Sequence, residues 1–236
     1  MLPADLQAGY GPRESEALEA VEVAMTRVLT GSLRMTASVI MGDQIRITAY
    51  PESAEPIIIS IDTIHRKLRR HLRHQVELEL RKRRTLLESE RLKSLRGAVA
   101  SGAISHITAD GTLLITLELA DCYRRLILTG ECPIRFQPLH ERGHYQIGSV
   151  RRFFITSVVP VMINRRSSKV RILLSRISKD LPRLLLQEQS HVADIQCRRR
   201  IPGGYSDIVT PSRIPKEVIA AVGKELGERL HVSIQQ

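Results

Sequence analysis

The chain has no tryptophan, and only three phenylalanines and five tyrosines in 236 residues. Cores must therefore be packed from aliphatic side chains, and any surface that stacks bases must rest on very few rings. Cysteine is scarce as well. Cys122, Cys132 and Cys197 are odd in number and lack CxxC spacing, which speaks against a disulfide framework or a zinc site. No apolar run approaches the roughly 20 residues needed to cross a bilayer. The opening stretch MLPADLQAGYGPRESE carries acids where a secretory signal needs a basic patch followed by an apolar segment. A cytoplasmic protein with no membrane partner is expected. Acids are also undersupplied, 25 against 36 Lys and Arg, for a net charge of +11. That excess favours an anionic partner, most simply nucleic acid, although an acidic protein or an anionic membrane gives the same bulk signal.

The excess is unevenly distributed. Residues 1–60 hold four bases against eight acids, residues 61–100 twelve against five, residues 101–170 nine against five, and residues 171–236 eleven against seven. An acidic head thus precedes a basic remainder. With 42% hydrophobic and 26% charged residues the chain is globular in composition, and its length suggests two or three small units.

Apolar residues recur at helical spacing over 14–29, the triplet Thr30-Gly31-Ser32 punctuates, and TASVIM and QIRITAY flank Gly42-Asp43 as a hairpin would. After PESAEP comes the β-branched run IIISI, and Asp62 is placed to cap the long helix that follows. In that helix Ile64, Leu68, Leu72, Val76 and Leu80 fall four apart, a narrow apolar stripe with arginines crowding the rest of the circumference. Arg66, Arg69, Arg70 and Arg73 are the candidate nucleic-acid face; the alternative is a solvated helix whose arginine stems cover apolar surface. His71 and His74 have no carboxylate or third ligand at metal-binding spacing, so no metal site is expected.

From Leu95 the periodicity becomes two. RGAVASGAISHI, GTLLITLEL, CYRRLILTG, RRFFITSVV and KVRILLSR are five strand candidates, the count of a five-stranded OB-type barrel, with a long connection between the third and fourth. Such barrels bind single strands by stacking bases on aromatics beside basic residues, which singles out Tyr123, Arg124, Arg125 and either Phe153 or Phe154. Alternation turns one phenylalanine inward without saying which. Asp180-Leu181-Pro182 then opens a short helix, ADIQCRRRI and YSDIVT are strands around Pro202-Gly203-Gly204, and a basic turn leads into a last helix and strand. Of Arg198, Arg199 and Arg200, alternation lets about two face an RNA.

Several residues form a family pattern. Leu174-Ser175-Arg176, Asp180-Leu181, Leu184, Leu185 and Glu188 resemble the junction between the S1 domain and the first KH domain of the NusA transcription factors. Arg200-x-Pro202-Gly203-x-x-Ser206 and Lys224-Glu225-Leu226-Gly227-Glu228-Arg229 resemble later parts of that KH domain. Pro133, Gln137, Glu141-Arg142, Tyr145 and Gly148 look like the loop before the fourth S1 strand, and Arg96-Gly97-x-Val99 like the start of S1. The head and long helix match by layout alone. The resemblance implies an α+β multidomain chain: a head and long basic helix over 1–93, an S1 barrel over 94–176 and a degenerate KH-like domain over 177–236.

The family generally carries a second KH domain and tends to be acidic. Its GxxG loop, which holds about four nucleotides by the backbone, is here Ser212-Arg213-Ile214-Pro215. Serine and proline lack glycine's freedom, and Pro215 has no amide donor. The clamp should be weak or absent, leaving a helix terminus with Arg213 and Lys216 beside it; alternatively Pro215 is simply a first-turn residue and Ser212 a cap.

The implied function is a non-catalytic factor that binds RNA polymerase through the head and single-stranded nascent RNA through the S1 and KH-like parts, modulating pausing, termination or antitermination. No cofactor or small-molecule substrate is expected. A ribosome- or translation-associated RNA-binding protein built from the same units is the alternative. An enzyme acting on nucleic acid has only the scattered Asp110, Glu118 and Asp121 to draw on.

Overall fold

A computed structural model describes residues 14–42, 44–121, 124–163 and 167–235. Two compact units divide the chain, one of residues up to Glu90 with Pro160–Val170, the other of Arg91–Val159 with Arg171–Gln236.

The first unit is built on helix α1 (Glu14–Leu33), strands β1 (Thr36–Met41), β2 (Ile45–Tyr50) and β3 (Ile57–Ile59), and the long helix α2 (Arg66–Leu92). The strands form one antiparallel sheet in the order β1-β2-β3. The stripe read from the sequence is the seam of this unit. Ile64, Leu72, Val76 and Leu80 are buried against Val21, Met25 and Leu29 of α1 and Val39 and Ile47 of the sheet, with Leu68 half-buried beside them. Each fully buried aliphatic side chain contributes about 1.5–3 kcal/mol, enough to hold a helix whose remaining surface is almost entirely charged.

Two local expectations are corrected here. Thr30-Gly31-Ser32 does not end α1; the helix runs to Leu33 and stops at Arg34 in the left-handed region (φ 55°). Thr30 instead turns its hydroxyl back to accept the Ala37 amide at 3.2 Å. Nor does Asp62 cap α2. It lies in a 3-10 turn over Ile61–Thr63, its own amide bonded to the Ser60 hydroxyl, while His65 Nδ1 accepts the Lys67 amide at 3.2 Å.

The second unit contains β4 (Val99–Ile107), β5 (Leu113–Asp121), β6 (Arg124–Cys132), β7 (Val150–Ile163) and β8 (Ser167–Ser175), then α3 (Asp180–Ser190), β9 (Gln196–Ile201), β10 (Tyr205–Thr210), α4 (Lys216–Leu226) and β11 (Arg229–Ile234). Strands β4 to β8 close into a five-stranded barrel in the order β4-β5-β6-β8-β7, with β4 also paired to β7. In the barrel β4 pairs antiparallel with β5 and with β7, β5 antiparallel with β6, and β6 parallel with β8. Ile104, Leu113, Ile115, Leu117, Phe153, Ile155, Ile172 and Leu174 fill the barrel.

The long β6–β7 connection is held from inside. Gln137, buried, donates to the carbonyls of Gly111 and Cys132, both at 2.8 Å. Beyond the barrel, β11-β10-β9 make a mixed sheet, β10 parallel to β11 and antiparallel to β9. One face of that sheet packs on α3 and α4 through Leu181, Leu185, Ile195, Cys197, Ile208, Ile214 and Val222. At the start of α3 the cap position is Lys179, which makes no side-chain cap bond, while the Ser178 hydroxyl just before it accepts the Asp180 amide at 3.3 Å. The chain is thus α+β, with one closed five-stranded barrel and two three-stranded sheets among the described residues. No described helix is long and apolar enough to cross a membrane.

Candidate nucleic-acid interface

On α2, Arg66, Arg69, Arg70 and Arg73 are all exposed. Their spacing of three and four places them on one face, opposite Leu68 and Leu72. Arg73 is paired with Glu77 at 3.3 Å. Farther along, Arg83 lies between Glu79 at 3.9 Å and Glu19 of α1 at 3.7 Å. Lys82 and Arg83 thus meet acids of their own unit, whereas Arg66, Arg69 and Arg70 face solvent. His71 and His74 are exposed on the same helix.

The barrel residues fare differently. Tyr123 lies outside the described residues, as does Cys122. Arg124 and Arg125 begin β6, in register with Asp121 and Ala120. Phe153 is a correction: it is fully buried inside the barrel, and its ring has no open face for a base. Alternation turns Phe154 outward, where it is half-buried against the α3/α4 core. With so few aromatics, the barrel uses this pair as packing.

Of the arginine triplet, Arg198 and Arg199 are exposed and Arg200 is not. Arg200 is a second correction. Its side chain is 2% exposed and forks onto the fully buried Glu228 carboxylate, with bonds of 2.7 and 3.1 Å. It also donates to the Ser178 carbonyl. Glu228 accepts in addition from the Ser206 hydroxyl at 2.8 Å and the Gly203 amide at 3.2 Å. A buried carboxylate with all its acceptor sites engaged is a structural post, and the arginine that neutralises it is withdrawn from any ligand.

A second buried network lies between barrel and sheet. Arg176, 1% exposed, donates to both Glu141 oxygens at 2.7 and 2.5 Å, to Glu225 Oε1 at 3.1 Å, and to the carbonyls of Arg152 at 2.8 Å and Glu225 at 2.9 Å. Tyr145 donates its hydroxyl to Glu141 at 2.5 Å, and Arg152 is paired with Glu188. Burial alone would raise the Glu141 carboxyl, but the hydrogen bonds and charge of Arg176 more than offset it and hold the group below the ordinary carboxylate range. The Tyr145 phenol is pushed up by burial and by that same carboxylate.

His140 completes the junction. Its ring lies so close to Gly203 and Gly227 that a Cβ on either would come within 2.1 or 2.8 Å of a ring nitrogen. Both glycines have positive φ, 81° and 64°.

The loop between β10 and α4 is five residues long. Thr210 closes it, donating its hydroxyl to the Ser212 carbonyl at 2.8 Å and accepting the Ser212 amide at 3.4 Å. Ile214 anchors it in the core. Pro215 precedes the first turn of α4, and no side chain caps that helix. Arg213 and Lys216 stand exposed beside it. Ser212 is thus a turn residue served by Thr210 and does not cap the helix.

Other candidates are quieter. Asp110 sits in the β4–β5 turn, its carboxyl lowered by hydrogen bonds from Thr108 and Thr112. Burial raises the Cys132 thiol to about 12 and also raises Cys197.

Sequence reasoning passed over the solvent face of the C-terminal sheet. Tyr205 and His231 stack there with centroids 5.5 Å apart and planes 25° apart. The Arg199 guanidinium lies 5.5 Å from the Tyr205 centroid, and Asp207 holds His231 Nδ1 at 3.2 Å. The alternation of YSDIVT and RLHVSI carried the signal, since Tyr205 and Asp207 share one parity and Arg229 and His231 the other strand's.

The fold and these surfaces define an α+β protein in which a small barrel is welded to a mixed sheet by buried ion pairs, with clusters of exposed arginine on both units. Compared with known proteins, the chain matches no protein-family model, and no curated protein sequence matches it significantly.

Proposed function

We propose that the chain is a non-catalytic, NusA-like RNA-binding transcription factor, its barrel an OB-type S1 domain and its C-terminal sheet a degenerate KH-like domain. One observation carries this reading. Seven of the residues that carry the resemblance, Glu141, Tyr145, Arg176, Arg200, Ser206, Glu225 and Glu228, are scattered over 88 positions of sequence, yet they meet in two buried polar clusters at and beside the barrel–sheet junction. A pattern shared by chance would not be expected to assemble into common contacts.

Two further features support it. The barrel order, first-second-third-fifth-fourth, suits an OB-type barrel. The order helix, strand, strand, helix, strand in a mixed sheet suits a KH-like unit that has lost its clamp, the β10–α4 connection having five residues where a glycine loop and a further helix would be needed. The acidic head is suited to a protein partner and the remainder to a phosphate backbone.

The test has two arms. The purified chain should bind single-stranded RNA with an affinity that falls steeply with salt. The tagged chain, cross-linked in cell extract, should recover RNA polymerase subunits. Ribosomal particles in their place would move the assignment to translation, and indifference to RNA at low ionic strength would end it.

A further inference from the structure

We infer that the solvent face of the C-terminal sheet is a stacking platform for single-stranded RNA, with a base seated on His231 at the end of the Tyr205–His231 stack. This deepens the RNA-binding reading above and rests on it. The face is made by alternate residues of three strands. Register aligns Ile201, Tyr205 and Arg229 in one row and Arg199, Asp207 and His231 in the next. Strands about 4.8 Å apart bring these side chains into contact across the ladder.

Tyr205 is flanked by Arg199 on one neighbouring strand and His231 on the other. Tyr205 covers one face of the imidazole, and the His231 side chain keeps 63% of its exposure. Asp207 fixes the ring's orientation from below. A held, flat, exposed ring is what stacking requires, because the ordering cost falls on the protein before the base arrives.

Charge selects the occupant. Arg198 and Arg199 on β9 and Arg229 on β11 are exposed. Among the described residues no ion pair engages Arg198 or Arg229. The polyanion's charges would meet Arg198 and Arg229 while its base reaches His231 in the row next to Arg229. An acidic protein would satisfy the arginines but leave the stacked rings without a role.

The experiment uses the full chain and an RNA of about 12 nucleotides carrying 5-iodouridine. Irradiation should cross-link the RNA to the peptide that contains His231 or the one that contains Tyr205. Tyr205→Ala and His231→Ala should each weaken binding about 5- to 150-fold, whereas Tyr205→Phe should retain wild-type affinity. Arg229→Ala should lower the slope of log affinity against log salt by about 0.7, the share of one phosphate contact on a single strand. The alanine stacking variants should leave that slope unchanged. If wild-type chain binds no RNA, the functional reading fails. If it binds, but both alanine variants bind equally well and the cross-link maps elsewhere, the RNA-binding reading stands and the platform is overturned.

Discussion

Replacing Arg176 with methionine keeps most of the side chain's volume and removes its charge. Five hydrogen bonds are lost, three of them to carboxylates. At about 1.5 kcal/mol each they would total more than 7 kcal/mol. Methionine, however, also spares the cost of burying a guanidinium, which amounts to several kcal/mol. The balance is the cost of leaving Glu141 behind as a carboxylate without a cation, about 3–5 kcal/mol. A protein of this kind has about 5–15 kcal/mol to lose, so the effect is large.

Its pH dependence is the sharper test. In the native chain Glu141 is held below the ordinary carboxylate range, so the stability it contributes is complete above about pH 4.3 and is lost as pH falls through the lowered folded value. Without Arg176, burial is the dominant influence left and raises that carboxyl. The variant should then recover relative to wild type as pH falls from 7 toward 5, because the unpaired group takes up a proton. A urea titration read by pulsed hydrogen exchange in peptides covering residues 130–150 and 220–230 separates this unit from the rest of the chain. The double variant Arg176→Met with Glu141→Gln should regain much of the loss at pH 7. A loss under about 1 kcal/mol, or a single variant that weakens further on mild acidification, would refute the reasoning.

Arg200→Ala should cost about 3–5 kcal/mol by stranding Glu228, whereas Arg198→Ala should change stability by less than about 0.5 kcal/mol and act only on RNA affinity. Chemical denaturation of the two variants side by side checks this. Gly203→Ala brings a methyl against the His140 ring at a positive φ, and a loss of about 1–3 kcal/mol is expected; His140→Ala in the same chain should restore only the steric share, as measured by thermal melting. Alanine at Arg66, Arg69 and Arg70 together should leave the melting temperature unchanged and reduce the salt dependence of RNA binding if the helix touches phosphate. An unchanged slope would assign that face to solvent.

Much of the architecture was legible in the sequence because it depends on period. The five barrel strands announced themselves by alternation, and the α2 stripe by its spacing of four, since both patterns follow from one face meeting a core. Parity within a strand was not legible. Whether Phe153 or Phe154 turns inward depends on register against neighbours distant in sequence, which a single strand does not specify. The roles of Arg176 and Arg200 were hidden for another reason. Arginine is rarely buried, so composition counts both as surface charge, and their partners Glu141, Glu225 and Glu228 lie 28 to 49 residues away. Tyr205 and His231 belong to strands joined through a helix, and only the parallel β10–β11 pairing makes them neighbours.

The weld between barrel and sheet has a consequence for avidity. Two modules on a floppy tether must lose orientational freedom each time one chain engages both, and the second contact is strengthened only by the local concentration the tether allows. Here that freedom is already gone, surrendered during folding to a guanidinium with no water around it. If the proposed function holds and one polynucleotide touches both barrel and sheet, it would meet them at a fixed separation, as a key meets two wards of a lock, and strands that bridge the gap would be favoured over shorter ones that contact either surface alone.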